Sequence, residues 1–271
     1  TSKRRRLLNV SLKQNYKLTK KHFSVFLRQT TKSFIIFVRS ILTRSANMGN
    51  TILQPGIYYH IYNRGTNGEV LFKTDDYYKE FLQLYTKYIT PVVDTLAYCL
   101  MSNHFHFLIR TKEEFEIKTF NELKMFEADK INKNPDKKPT ASTQFAHLFN
   151  TYAKKINKAY QRTGSLFEHP FERRIIENEF YLRNCIAYIH SNPMKDGFVK
   201  SLEDYRWSSY KAILSEKPTL IERQFVIDLF GGKDQFLIYH EKDPETFREF
   251  KGEFQKTFLS PQTRIQTSKR T

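Results

Sequence analysis

The stretch Met101-Ser-Asn-His-Phe-His-Phe-Leu-Ile-Arg110 constrains this chain most. It is rich in aromatic and branched residues, and residues 96–101 leading into it are mostly apolar, so it reads as a buried central strand. Side chains two apart on a strand share a face, roughly 7 Å apart along the chain. His104 and His106 therefore point one way, and Phe105 and Phe107 the other. Paired imidazoles on one face of a core strand have two readings: partly exposed histidines at a strand end, or two ligands of a metal ion. The triplet alone does not choose between them. A third ligand and a reacting group have to come from elsewhere in the chain.

Charge narrows the partner. The 271 residues carry a net +17, which favours a polyanion. Residues 1–47 hold twelve Lys or Arg and no Asp or Glu, so they supply +12 and leave only +5 for the rest. With 24 Phe and 16 Tyr there are rings enough both for a core and for stacking on bases. The two cysteines, Cys99 and Cys185, sit in apolar contexts and form no disulfide framework, which fits a cytoplasmic protein. No apolar run approaches the roughly 20 residues of a membrane span.

In order, residues 1–47 read as a basic tail, disordered or translated upstream of a start at Met48, adding little to the fold. Residues 57–62 alternate as a first strand, and Tyr77 to Tyr88 carry Phe81, Leu84 and Tyr85 at helical spacing. A helix is expected near 115–130, followed by an exposed loop, then a second helix over 143–160. Residues 164–176 read as a turn and a strand. Asn178 caps the next helix, which Asn192-Pro193 should stop, because the residue before proline avoids helical angles. Residues 214–271 read as a helical C-terminal extension with a disordered end. The expected fold is α+β: an antiparallel sheet with helices packed on one face.

On that plan a helix can place Tyr188 and Asn192, four residues apart, over the histidine face. A divalent metal on His104, His106 and the Asn192 carbonyl oxygen would polarise a phosphodiester, and Tyr188 would attack phosphorus. The plain alternative makes Tyr188 an interfacial aromatic and Asn192 a helix C-cap.

Several motifs carry a resemblance. Tyr59-His-Ile-Tyr-Asn-Arg-Gly65, Ala97-Tyr-Cys-Leu-Met-Ser-Asn-His-Phe-His-Phe-Leu108, Gly164-Ser-Leu-Phe-Glu-His-Pro-Phe-Glu-Arg173, Ala187-Tyr-Ile-His-Ser-Asn-Pro-Met-Lys-Asp-Gly197 and Trp207-Ser-Ser-Tyr210 follow one another in order. Over residues 55–213 the chain resembles the single-tyrosine HUH transposases, and within them the REP-associated tyrosine transposases. The resemblance implies a ferredoxin-like sheet in an HUH endonuclease domain over 48–213. It implies His104 and His106 as the metal pair, with Mg2+ or Mn2+ as cofactor, and Tyr188 as nucleophile. It implies cleavage of single-stranded DNA beside a hairpin, leaving a 5′-phosphotyrosine and a free 3′-OH. The third family ligand is often Gln, and here the matching residue is the shorter Asn192.

Tyr152, also helical with an asparagine five residues on, is the alternative nucleophile, although its place in an apolar stripe argues for core. Lys154 and Lys155 beside it are candidate phosphate contacts, as are Arg64, Arg173 and Arg174. His60 and His169 read as structural. Two other functions fit the same residues: a domesticated hairpin-binding protein that does not cut, and a His-x-His metallohydrolase using metal-bound water. No interface signature decides between monomer and homodimer.

Overall fold

The computed structural model describes residues 52–124, 134–168 and 171–241. The expectations for residues 1–47, for 125–133, for His169 and for the chain's last residues lie outside them. The described chain runs β1 (Tyr58–Arg64), α1 (Asp75–Tyr88), β2 (Val93–Leu100), β3 (His104–Thr111), α2 (Ala141–Ala159), β4 (Glu172–Ile175) and α3 (Glu179–Lys195). Three short helices follow: α4 (Tyr210–Leu214), α5 (Arg223–Phe230) and α6 (Lys233–His240).

The strands form one antiparallel sheet in the order β2-β3-β1-β4. Strand–helix–strand, strand–helix–strand with that order is the ferredoxin-like plan. β3 is central and buried along nearly its whole length. Its Phe105 and Phe107 enter an aromatic core under α1 and α2, where Phe81, Phe149 and Tyr85 meet them at centroid distances of 4.3–6.3 Å. Offset and edge-to-face ring pairs add about 0.5–1.5 kcal/mol each beyond their buried area.

The opposite face carries His104, His106 and Leu108, and it is covered by α3. The sequence reading puts helices on one face only. The structure corrects this: the two crossover helices share the phenylalanine face, and α3, which follows the last strand, closes the other. The reason lies in β3 and its partner β2, since Leu108 of β3 with Cys99 and Ala97 of β2 make the histidine face apolar around the imidazoles, and that surface needs its own cover. A β-bulge between Thr95 and Ala97 turns Leu96 into this second core as well.

Two boundaries move. Helix α3 does not stop at Asn192-Pro193 but runs to Lys195. Pro193 lacks only the N–H that would have reached Ile189, and the Asn192 side-chain amide comes within 3.5 Å of that carbonyl. The helix expected near 115–130 begins as a single 3-10 turn, Glu114–Glu116, whose Phe115 is 84% exposed. Over the described residues 117–124 no α-helix follows that turn, although Phe120 is buried.

The Trp207-Ser-Ser-Tyr210 motif has a structural task. Leu100 N–H donates to the Trp207 carbonyl at 2.9 Å and Ser209 N–H to the Tyr98 carbonyl at 3.0 Å. Glu222 N–H reaches the Thr95 carbonyl at 2.9 Å. The outer edge of β2 is thereby occupied instead of being left as a pairing template. Trp207 then stacks on Tyr78 at 4.5 Å.

Phe107→Ala should lower the free energy of unfolding by about 3–5 kcal/mol in urea titrations. Phe225→Ala, at a residue 40% exposed, should change it by less than about 1 kcal/mol.

Candidate active site

The site is built on the antiparallel pairing of β1 with β3. Tyr62 lies opposite His106 and Arg64 opposite His104, so alternate residues of β1, Tyr58, His60, Tyr62 and Arg64, share the histidine face. The His60 Nε2 and His106 Nδ1 atoms are 3.0 Å apart, with rings stacked at 5.1 Å. His104 crosses His106 edge-on at 5.2 Å. Its Nδ1 is 2.7 Å from the Asn103 side-chain oxygen, an acceptor, so the proton sits on Nδ1 and Nε2 is the lone-pair nitrogen.

The loop after β1 holds this end of the site in register. Gly65 N–H donates to the Asn103 carbonyl at 2.8 Å. A Cβ on Gly65 would lie 2.0 Å from the Glu69 carbonyl oxygen, so only glycine lets the chain turn back this tightly. The turn fixes Arg64 beside His104, close enough to depress that imidazole's proton affinity.

From above, α3 contributes Tyr188. Its ring meets His106 edge-to-face at 5.5 Å and His60 at 6.1 Å. Asn192, one turn later, donates from Nδ2 to the Tyr188 carbonyl at 2.9 Å. Lys195, two turns later, places Nζ 4.5 Å from the centre of the Tyr188 ring. The rotation of α3 is pinned from behind. His190 Nε2 lies 2.8 Å from Ser209 Oγ, and His190 Nδ1 lies 2.9 Å from His240 Nε2. Helix α6 and the Trp207-Ser-Ser-Tyr210 motif thus hold α3 through a residue that faces away from β3.

Burial sets the electrostatics. Desolvation brings His60 down to about 3, with Arg174 adding to it, and His104 to about 4, with Arg64 adding to it. His106 is lowered well below its ordinary value, by burial first and then by the neighbouring imidazoles and Lys195. All three are neutral at pH 7, the form that ligates metal. Burial raises the Tyr188 hydroxyl above the usual tyrosine value, with Cys185 and Asp196 adding to the effect, while the Asn192 amide works the other way.

Of the residues singled out in the sequence, the structure brings together His104, His106 and Tyr188, with Arg64 and Arg174 at the margins, while Asn192 follows Tyr188 on the same helix with its amide nitrogen bonded back to the Tyr188 carbonyl. It does not bring Tyr152 there. That side chain lies on the opposite side of the sheet among Phe72 and Phe81, its hydroxyl donating to the Leu71 carbonyl at 2.8 Å. Lys155, on the same helix, pairs with Glu80 of α1, so Lys154 and Lys155 belong to the α1–α2 side. Arg173 pairs in register with Ile61, on the phenylalanine side, and lies 4.5 Å from the Phe171 ring, whereas Arg174 pairs with His60. Sequence reasoning set His60 aside as structural and passed over Lys195. The signal for His60 was the alternation Tyr58, His60, Tyr62, Arg64, once β1 is paired with the histidine strand.

Donors able to hold a divalent ion are His104 and His106, with the Asn192 amide oxygen on the facing helix. Among the described residues no group of three or more His, Cys, Asp and Glu side chains is arranged to hold a metal. The neutral imidazoles, with the lone pair of His104 on Nε2, fit a metal. The lack of a carboxylate makes the set less suited to Mg2+ than to softer divalent ions.

No family model matches the chain. A curated protein of Haemophilus influenzae that carries the provisional name REP-associated tyrosine transposase is 24% identical over 138 residues, 50% of this chain and 69% of that protein. A solved structure of a REP-associated tyrosine transposase bound to a REP hairpin aligns with 64% of this chain and 88% of its own, at 15% identity and a TM-score of 0.42. The chain is thus similar to the REP-associated tyrosine transposases, as its ordered motifs imply. Among the described residues no helix is long and apolar enough to cross a membrane.

Two outcomes follow from this geometry. His60 binds a proton near pH 6.5 when unfolded and near 3 when folded. Its contribution to stability is therefore complete above pH 6.5 and is lost as pH falls toward 3, at about 1.4 kcal/mol per pH unit. Urea unfolding between pH 7 and pH 5 should show this contribution added to those of the other depressed histidines, His104, His106, His190 and His240, and His60→Gln should lower the total slope by one proton's worth. Tyr152→Phe should cost about 1–3 kcal/mol by leaving the Leu71 carbonyl unsatisfied.

Proposed function

We propose, from its similarity to the REP-associated tyrosine transposases and from the geometry of its histidine face, that this chain is a metal-dependent single-stranded DNA endonuclease and strand transferase. It cuts beside hairpin elements through a 5′-phosphotyrosine intermediate. The observation that carries the reading is the edge-to-face contact of Tyr188 with His106 at 5.5 Å, on the sheet face where three strand imidazoles are held neutral.

His104, His106 and Asn192 would hold the ion, Mg2+ or Mn2+. Bound there, it supplies Lewis-acid polarisation of a non-bridging phosphate oxygen. The remaining work falls to the chain. Tyr188 Oη forms a bond to phosphorus as the P–O3′ bond breaks; the phenolic proton is lost to solvent and the leaving 3′-oxygen takes one up. The phosphotyrosine keeps the energy of the broken ester, so rejoining to another 3′-OH needs no external energy source. His60 keeps His106 oriented through the Nε2–Nδ1 contact. Arg64 and Arg174 lie where they can hold the DNA backbone on either side of the imidazoles. Tyr188 is only 2% exposed, so engaging the strand requires its side chain, or what lies over it, to move. Closure of this kind excludes water, which would otherwise compete with the 3′-OH for the intermediate.

Incubating the full chain with end-labelled single-stranded hairpin DNA and Mn2+ should give a labelled protein band on a denaturing gel. Tyr188→Phe should abolish the band and Tyr152→Phe should retain it. A band that survives Tyr188→Phe would sink the assignment of the nucleophile. Binding with no band in the wild type would favour a non-cleaving hairpin binder.

A further inference from the structure

Continuation of α3 through Pro193 has a chemical consequence. Tyr188, Asn192 and Lys195 stand at i, i+4 and i+7, which is one face of a helix. Lys195 is therefore aimed back over the nucleophile's ring, 4.5 Å from its centre, instead of trailing into a loop. Its Nζ is buried.

We propose that Lys195 is a further catalytic residue, whose ammonium group contacts the phosphate under attack and stabilises the charge that builds on it as the Tyr188 ester forms. The proposal rests on the reading of Tyr188 as nucleophile.

The surroundings fit an incoming anion. Facing Tyr188 are His60 and Tyr62 from β1 and His106 from β3, with Cys185 and Asp196 from its own helix. The imidazoles are neutral, so the charged groups on this face are Lys195 over the ring, Arg174 beside His60, Arg64 beside His104, and two acids, Asp196 and Glu172, the latter in register with Tyr62. A phosphodiester entering this face meets three cations and two acids around the neutral imidazoles, and of the cations Lys195 is the one that lies against the Tyr188 ring. In the transition state phosphorus carries both the forming bond to Tyr188 Oη and the breaking bond to O3′, and negative charge spreads over its oxygens. A fixed ammonium group in a water-poor pocket stabilises that charge more than it stabilises the ground state. Lys195 keeps its proton throughout; the phenolic proton goes to water, and the 3′-oxygen takes one from water.

A structural role is the alternative, since a lysine in the last turn of a helix also interacts with the carbonyl end of the helix dipole. The test separates the two by measuring rate, binding and stability on the same proteins. Full-length wild type, Lys195→Met, Lys195→Gln and Lys195→Arg are compared for single-turnover adduct formation on the labelled hairpin with Mn2+. Hairpin affinity without metal and the thermal midpoint are measured alongside. The expected result is a fall in rate of about 10²–10³-fold in Lys195→Met and Lys195→Gln. Affinity and thermal midpoint stay close to wild type, and Lys195→Arg recovers most of the rate. A neutral variant as fast as wild type overturns the proposal and leaves Tyr188 as nucleophile. A loss of rate that tracks a loss of affinity or of melting temperature, with no recovery in Lys195→Arg, also overturns it in favour of the helix-end role. A wild type that forms no adduct overturns this proposal and the proposed function together.

Discussion

Everything at the candidate site depends on β3 being buried on both faces while carrying different chemistry on each. On one side Phe105 and Phe107 lock the strand into an aromatic core under α1 and α2. On the other, His104 and His106 point into a second core closed by α3. Such a strand has little freedom to slide, because a one-residue slip would put the imidazoles among the phenylalanines. The register therefore does the positioning. It sets His60 against His106, Arg64 against His104 and, through β4, Arg174 against His60.

Burial also supplies the site's protonation state. Desolvation first, and the neighbouring cations and imidazoles after it, keep these histidines neutral. The same desolvation holds the Tyr188 hydroxyl protonated. For the proposed reaction this arrangement would offer neutral imidazoles and a protonated tyrosine, with activation left to the metal and the DNA phosphate. That order makes chemical sense for an enzyme that should cut only when a strand is engaged.

Much of this was legible in the sequence because period-two and helical spacing survive folding unchanged. The His104/His106 face, the Phe105/Phe107 face and the Tyr188–Asn192 spacing all follow from local geometry. Three features did not, each for a physical reason. The position of α3 opposite the crossover helices depends on how apolar the histidine face is once β2 and β3 have paired, which is a long-range property. The reach of α3 past Pro193 depends on a side-chain amide lying near the carbonyl that the proline leaves without a donor, so the rule that stops a helix before proline failed here. The role of His60 depends on strand pairing across 46 residues. The Trp207-Ser-Ser-Tyr210 motif, recognised only as part of a pattern, proves to be an edge cover for β2 and an anchor for His190.

The central claim is that Tyr188, lying over the histidine pair, is the residue that takes up DNA. Mass spectrometry of a tryptic digest of the trapped protein–DNA adduct, after nuclease trimming, tests it most directly. The account predicts that the nucleotide remnant sits on the peptide spanning residues 184–195, attached to Tyr188. A remnant on the peptide carrying Tyr152, or on any other tyrosine, would contradict it.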